Sequence, residues 1–234
     1  MTPLNFEIVS TRHNPLVDPS LDVWAWEITV YLFLGGFVAG IMILSGWALW
    51  QGRRNPRTYA TFSLASSGLF ALGLVAISLG MLALFLDLSH KAYVWRLYLT
   101  MKPMSPMSWG AWILLLAYPV LLAGVLLDPP RPLLRVLPAL EPRWRRLADD
   151  RQVRRAIGFV SIATGLGLGI YTGILLSALG ARPLWSSAML GPLFLVSGLS
   201  TAAAFAHSVS PEPAEREQMA WLDNLFLVIE LALI

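Results

Sequence analysis

Five residues combine a polar, acid–base or hydrogen-bonding head with a place in or beside apolar sequence: Glu27 and Tyr31, Asp87 and His90, and Tyr171. Residues three or four apart lie on one face of a helix, so each of the first two pairs presents its groups together. Carboxylates and imidazoles accept protons, and phenol hydroxyls donate or accept hydrogen bonds. At one end of an apolar helix bundle, such groups would hold a flat, lipid-soluble ring and remove protons from its two hydroxyls. Quinol fits that description, because its oxidation releases two protons with two electrons and calls for a base beside each hydroxyl. Each residue also has a plainer reading. Glu27, beside Trp24 and Trp26, can snorkel to lipid headgroups. Asp87 and His90 can be the interfacial end of a helix, and Tyr31 and Tyr171 suit an aromatic belt or ordinary packing.

The elements that position these groups follow from composition. The chain has 234 residues, 56% hydrophobic and 13% charged, with a mean hydropathy of +0.64. Soluble domains carry about 25% charged residues, so a water-exposed surface cannot be built from this set. The expectation is an all-α integral membrane protein. A span needs about 20 mainly apolar residues, and six runs qualify: 24–50, 60–88, 108–127, 156–180, 186–206 and 220–234. The last run reaches residue 234 after about 15 residues, short for a crossing, which suggests a piece of a longer chain. Residues 1–21 are polar and broken by proline, without the basic start and apolar core of a cleavable signal.

Loop charges orient the spans. With the N-terminus outside, the loops 51–59, 128–155 and 207–219 hold 12 Lys and Arg residues, eight of them in 128–155, against 5 in the outer segments. The expected arrangement is therefore a multi-pass protein of a bacterial inner membrane with a periplasmic N-terminus. The basic loop 128–155 reads as a topology determinant in contact with membrane lipid. The five polar residues then fall in the outer half of the bilayer, where ionisable groups carry an insertion cost of up to about 3 kcal/mol. The link Leu86–Trp112 hands one span to the next through Lys91, Tyr93, Trp95, Arg96 and Tyr98 and enters the third span at Trp109 and Trp112. Arg182 closes the outer end of the fourth span. In the second half, His207 ends the fifth span, and Asp223 and Glu230 share a face of the sixth. Together they suggest a proton route from the inner side; the plainer reading is buried or lipid-edge polar groups.

Glycine spacing predicts close helix packing, at Gly36 and Gly40 and at Gly165, Gly169 and Gly173. The GLGLG run is not a dinucleotide loop, since it lies inside an apolar span with no strand before it. There is no cysteine, so no iron–sulfur cluster is held by this protein's thiolates. The three histidines, His13, His90 and His207, cannot pair across a haem, so none is expected within the chain. Nothing suggests nucleic-acid binding. Three classes stay open: a quinol-reactive oxidoreductase subunit, a proton channel or secondary transporter, and a non-catalytic membrane anchor.

The segments WAWEITVYLFLGG, FLDLSH, KPMSPMSWGAW and GIYTGILLSALGARPLW resemble the NrfD/polysulfide reductase membrane subunit family over about residues 20–205. That resemblance implies eight spans in two four-helix bundles. Residues 1–21 would be an outer tail, 22–182 the first bundle with a quinone site, and 183–234 the start of the second. It implies a menaquinone or ubiquinone near the outer face. An iron–sulfur subunit would dock there and exchange electrons with a further catalytic subunit of molybdopterin or multihaem type. Tyr171 falls on the family's quinone-contacting tyrosine. Tyr31 stands where a related member has histidine, Glu27 lies one turn above it, and Asp87 and His90 match an FLDL-x-H variant. Trp109 and Arg182 would support the site.

Overall fold

A computed structural model describes residues 26–52, 66–88, 90–99, 105–127, 149–177 and 187–234, with positions 63, 64, 102 and 146. Six long helices carry the fold: α1 (Trp26–Trp50), α2 (Ser67–Asp87), α4 (Pro106–Leu127), α5 (Arg151–Ser177), α6 (Leu190–Val209) and α7 (Pro213–Leu233). Between α2 and α4 stand a 3₁₀ turn (Lys91–Tyr93) and the short α3 (Trp95–Leu99). At 1.5 Å per residue the long helices reach about 30–40 Å, the thickness of a bilayer core. Among the described residues five of them, α1, α2, α4, α5 and α6, are long and apolar enough to cross a membrane. The chain is an all-α, multi-pass membrane protein.

That is one span fewer than the six apolar runs. The run 220–234 is the second half of α7, whose first turns carry Glu215, Arg216 and Glu217, with Asp223 and Glu230 further along. Proline at the first helical position starts this helix, because its fixed φ suits that place and its missing N–H goes unmissed. The fourth run likewise starts earlier than hydropathy suggests. Asp150 caps α5 by accepting the Gln152 backbone N–H at 2.8 Å, which begins a helix at arginine-rich sequence.

Helices α1, α2, α4 and α5 close a ring, each touching the next; α6 packs on α1 and α5, and α7 packs on α6. Rows of large apolar side chains face outward, among them Phe33, Leu79, Leu82, Leu115 and Phe159, as expected where the surrounding solvent is lipid. Inside lie Val38, Met42, Phe70, Leu121 and Leu168. Small residues bring the helices together without a hydrophobic drive from water. A β-carbon at Gly40 would meet the backbone of Gly198 in α6, and one at Gly165 would meet the Ala39 carbonyl in α1. Gly169 faces Leu195 and Gly173 meets Gly191, so the predicted glycine run packs α5 against both α1 and α6. Ser161 ties α5 to α1 by donating to the Met42 carbonyl at 2.8 Å.

At the opposite end from the N-terminus of α1, one buried carboxylate joins three segments. Glu215 of α7 accepts the Leu64 backbone N–H at 2.8 Å, the Ser63 hydroxyl at 3.3 Å and the Ser210 hydroxyl at 2.6 Å. It locks the α6–α7 hairpin to the segment that leads into α2.

Candidate functional site

Helix direction alternates around the ring, so the start of α1, the end of α2, the start of α4 and the end of α5 lie at one end. Tyr31 sits five residues into α1, and Tyr171 six residues before the end of α5. Both are therefore about 8–9 Å inside the bundle at that end. Their side chains are nearly enclosed, at 5% and 7% exposed, and their hydroxyls are hydrogen-bonded to each other. On the α2 side the Tyr31 ring faces Gly80, where an added β-carbon would lie 3.6 Å from the ring, an ordinary contact. On the α4 side the Tyr171 phenol rests on Gly110, in the space a β-carbon would fill.

Nearer the membrane surface stand two carboxylates. Glu27 lies one turn before Tyr31, half-buried, and its Oε2 is shielded from solvent with no hydrogen-bond partner among the described residues. Asp87, the last residue of α2, lies within electrostatic reach of Glu27. A buried acceptor without a donor is costly, and a ligand hydroxyl would satisfy it. The site thus offers acceptors on α1 and α2 above a phenol pair contributed by α1 and α5, within largely apolar helices. Such a set can accept hydrogen bonds and protons from a hydroxyl brought to it.

Tyr98 on α3 lies within electrostatic reach of both Tyr31 and Tyr118. Burial, then Tyr118, raises its phenol above the ordinary value of 10.0. The Tyr118 hydroxyl donates to Ser78 at 3.3 Å, and Ser78 donates to the Leu74 carbonyl at 2.8 Å. Tyr118, Gly80 and Gly110 escaped the sequence reading, and Tyr98 entered it only as part of the aromatic and basic link. The signal for Gly110 was present, since it is the gap between two tryptophans in SWGAW.

The other expected residues are placed differently. His90 is exposed and precedes the 3₁₀ turn; Trp109 is exposed near the start of α4. Arg182, Trp24, the 1–21 tail and most of the basic loop 128–155 lie outside the described residues. The neighbouring Arg96 guanidinium stacks over Tyr93 at 4.5 Å and Trp95 at 5.6 Å. In the second half, Asp223 accepts the Ser200 hydroxyl at 2.6 Å. His207 Nδ1 lies 2.9 Å from the Arg216 carbonyl, and since a carbonyl only accepts, that nitrogen carries the proton. Glu230 is half-buried on α7. These three belong to the α6–α7 hairpin and are separate from the tyrosine pair. Among the described residues no three His, Cys, Asp or Glu side chains gather as a metal site requires.

An apolar groove of about 260 Å³ lies between α4 and α5, lined by Leu116, Pro119, Val120, Ala123, Ala156, Ile157 and Val160. It opens in the half of the bundle away from the tyrosines and offers no polar group to a ring.

Comparison with known proteins gives the family. A family model described as polysulphide reductase, NrfD, matches residues 10–232. The chain is similar to Protein NrfD of Escherichia coli (strain K12), at 32% identity over 192 residues covering 79% of this sequence and 58% of that protein. It is similar to the C subunit of polysulfide reductase from Wolinella succinogenes, at 30% identity over 184 residues covering 76% and 55%. A Protein NrfD homolog of Haemophilus influenzae is 27% identical over 194 residues, covering 81% and 59%. The chain therefore spans somewhat over half the length of these curated relatives. With the family model matching nearly the whole sequence, this protein belongs to the NrfD/polysulphide reductase family.

Proposed function

We propose that the protein is the quinone-reactive membrane subunit of a multi-subunit respiratory oxidoreductase. The observation that carries the reading is the enclosed Tyr31–Tyr171 hydroxyl pair, set below Glu27 and Asp87 at one end of an apolar four-helix ring. Menaquinone or ubiquinone supplies the redox chemistry: the hydroquinone form gives up two electrons and two protons. Tyr31 and Tyr171 hydrogen-bond a ring oxygen, exchanging their mutual bond for bonds to the ligand. Glu27 and Asp87 take up the released protons, and His90, exposed beyond α2, passes them to water. The reverse direction uses the same groups as donors. The apolar walls of α1, α2, α4 and α5 keep water from the ring. Electrons pass to or from an iron–sulfur partner docked on the aromatic and basic outer link 88–107, and thence to a molybdopterin or multihaem catalytic subunit. A proton route from the inner side would run through His207, Asp223 and the deeper Glu230.

The test uses the assembled complex in inner-membrane vesicles. Tyr171→Phe and Asp87→Ala, and to a smaller degree His90→Ala, are expected to slow quinol oxidation while the complex still assembles. Unchanged turnover in both Tyr171→Phe and Asp87→Ala would remove the reading.

A further inference from the structure

We infer that Gly110 is a positioning residue of the site: the notch it leaves in α4 seats the Tyr171 phenol where its hydroxyl reaches Tyr31. For its consequence in turnover, this rests on the quinone reading above. The geometry stands without it.

The glycines of this fold do two different things. At Gly40, Gly158 and Gly173 the atoms a β-carbon would strike are backbone of a neighbouring helix, so those glycines set how closely helices cross. At Gly110 the atoms in the way are the ring and hydroxyl end of Tyr171. A side chain's far end can swing aside, whereas a helix backbone cannot. A methyl group at Gly110 therefore displaces the phenol and leaves the α4–α5 packing in place. Because Tyr171 holds Tyr31 through its hydroxyl, moving the phenol breaks that bond and withdraws one of the two groups offered to a ring oxygen. Glycine is a poorer helix former than alanine, so its presence inside α4 is consistent with a reason of this kind.

The experiment compares Gly110→Ala with Gly167→Ala in the assembled complex. Gly167 lies on the same α4–α5 interface, where a β-carbon would make only an ordinary contact of 3.7 Å with Ile113. Gly110→Ala is expected to lower kcat/KM for quinol by about two- to tenfold, the equivalent of one hydrogen bond, while Gly167→Ala leaves it unchanged. Since Gly110 acts through the Tyr171 hydroxyl, Gly110→Ala combined with Tyr171→Phe should be no slower than Tyr171→Phe alone. Fully additive losses, or wild-type rates in Gly110→Ala beside a slow Tyr171→Phe, overturn the inference. Wild-type rates in Tyr171→Phe strike the quinone reading instead, and the seat is then judged by unfolding alone. In that measurement the coupling between Tyr31→Phe and Tyr171→Phe disappears in a Gly110→Ala background; persistent coupling overturns the seat. Should Gly110→Ala fail to accumulate, adding Tyr171→Leu, which removes the obstructing ring, is expected to restore it, and failure to do so also counts against the inference.

Discussion

Removing the Glu215 carboxylate should loosen the α6–α7 hairpin from the four-helix ring, and the size of the effect can be worked out bond by bond. Glu215 is 7% exposed and accepts three donors, the Leu64 N–H, the Ser63 hydroxyl and the Ser210 hydroxyl. In Glu215→Ala the Leu64 N–H is left buried and cannot turn away, a cost of about 1–3 kcal/mol. The two hydroxyls can rotate toward other acceptors, so each contributes less, about 0.5–1 kcal/mol, and the total comes to about 2–5 kcal/mol. Glu215→Gln keeps a carbonyl oxygen for Leu64, and its amide can donate to the Ser210 oxygen. It loses only the charge assistance, about 1–2 kcal/mol. The assay is reversible unfolding of the purified protein in mixed micelles, followed by tryptophan fluorescence. The expected order of stability is wild type, then Gln, then Ala, with Gln nearer the wild type. An alanine variant within about 0.5 kcal/mol of wild type, or a glutamine variant as unstable as alanine, would show that the carboxylate does not hold these segments together.

Other expectations follow from the same contacts. In a double-mutant cycle Tyr31→Phe and Tyr171→Phe should couple by about 0.5–1.5 kcal/mol, the worth of one neutral hydrogen bond; strict additivity in unfolding would mean the hydroxyls do not meet. Gly40→Ala sets a methyl group against the Gly198 backbone and should cost about 1–3 kcal/mol through overpacking. Gly35→Ala meets no atom within 4 Å and should be neutral or slightly stabilising, so equal losses at the two positions would refute the crossing argument. Tyr98 contributes a pH dependence. Its folded-state value lies above the ordinary 10.0, so the folded protein binds more protons than the unfolded one as pH rises past that value. The contribution is fully present below pH 10 and is lost above it. Melting curves from pH 9 to 11 should show a shallower alkaline decline for Tyr98→Phe than for wild type; parallel declines would count against the burial of this phenol.

Much of the architecture could be read from residues alone, because membrane physics leaves few choices. A polypeptide this apolar must bury its backbone in helices. Span length is fixed by bilayer thickness, and alternating direction brings the start of α1, the end of α2 and the end of α5 to one level. Hence Glu27, Tyr31, Asp87 and Tyr171 could be assigned a common depth, and the four-residue glycine steps could be read as contacts. Hydropathy was blind to helix that is polar, so the first turns of α5, capped by Asp150, and of α7, opened by Pro213, went unseen.

What sequence could not decide was who meets whom within a level. Depth is a one-dimensional property of each helix, set by its own residues and the bilayer. Lateral neighbours depend on how helices rotate and how closely they approach, which is settled by pairs such as Gly40 with Gly198 and Gly173 with Gly191. Those crossings bring Tyr171 onto Gly110 and its hydroxyl to Tyr31, while His90, at a similar level, stays exposed. The same crossings bring Glu215 to Ser63 and Leu64, about 150 residues away in the sequence. Local composition determined that polar groups would gather at one end of the bundle; only the packing of small residues between helices selected the pair that touches.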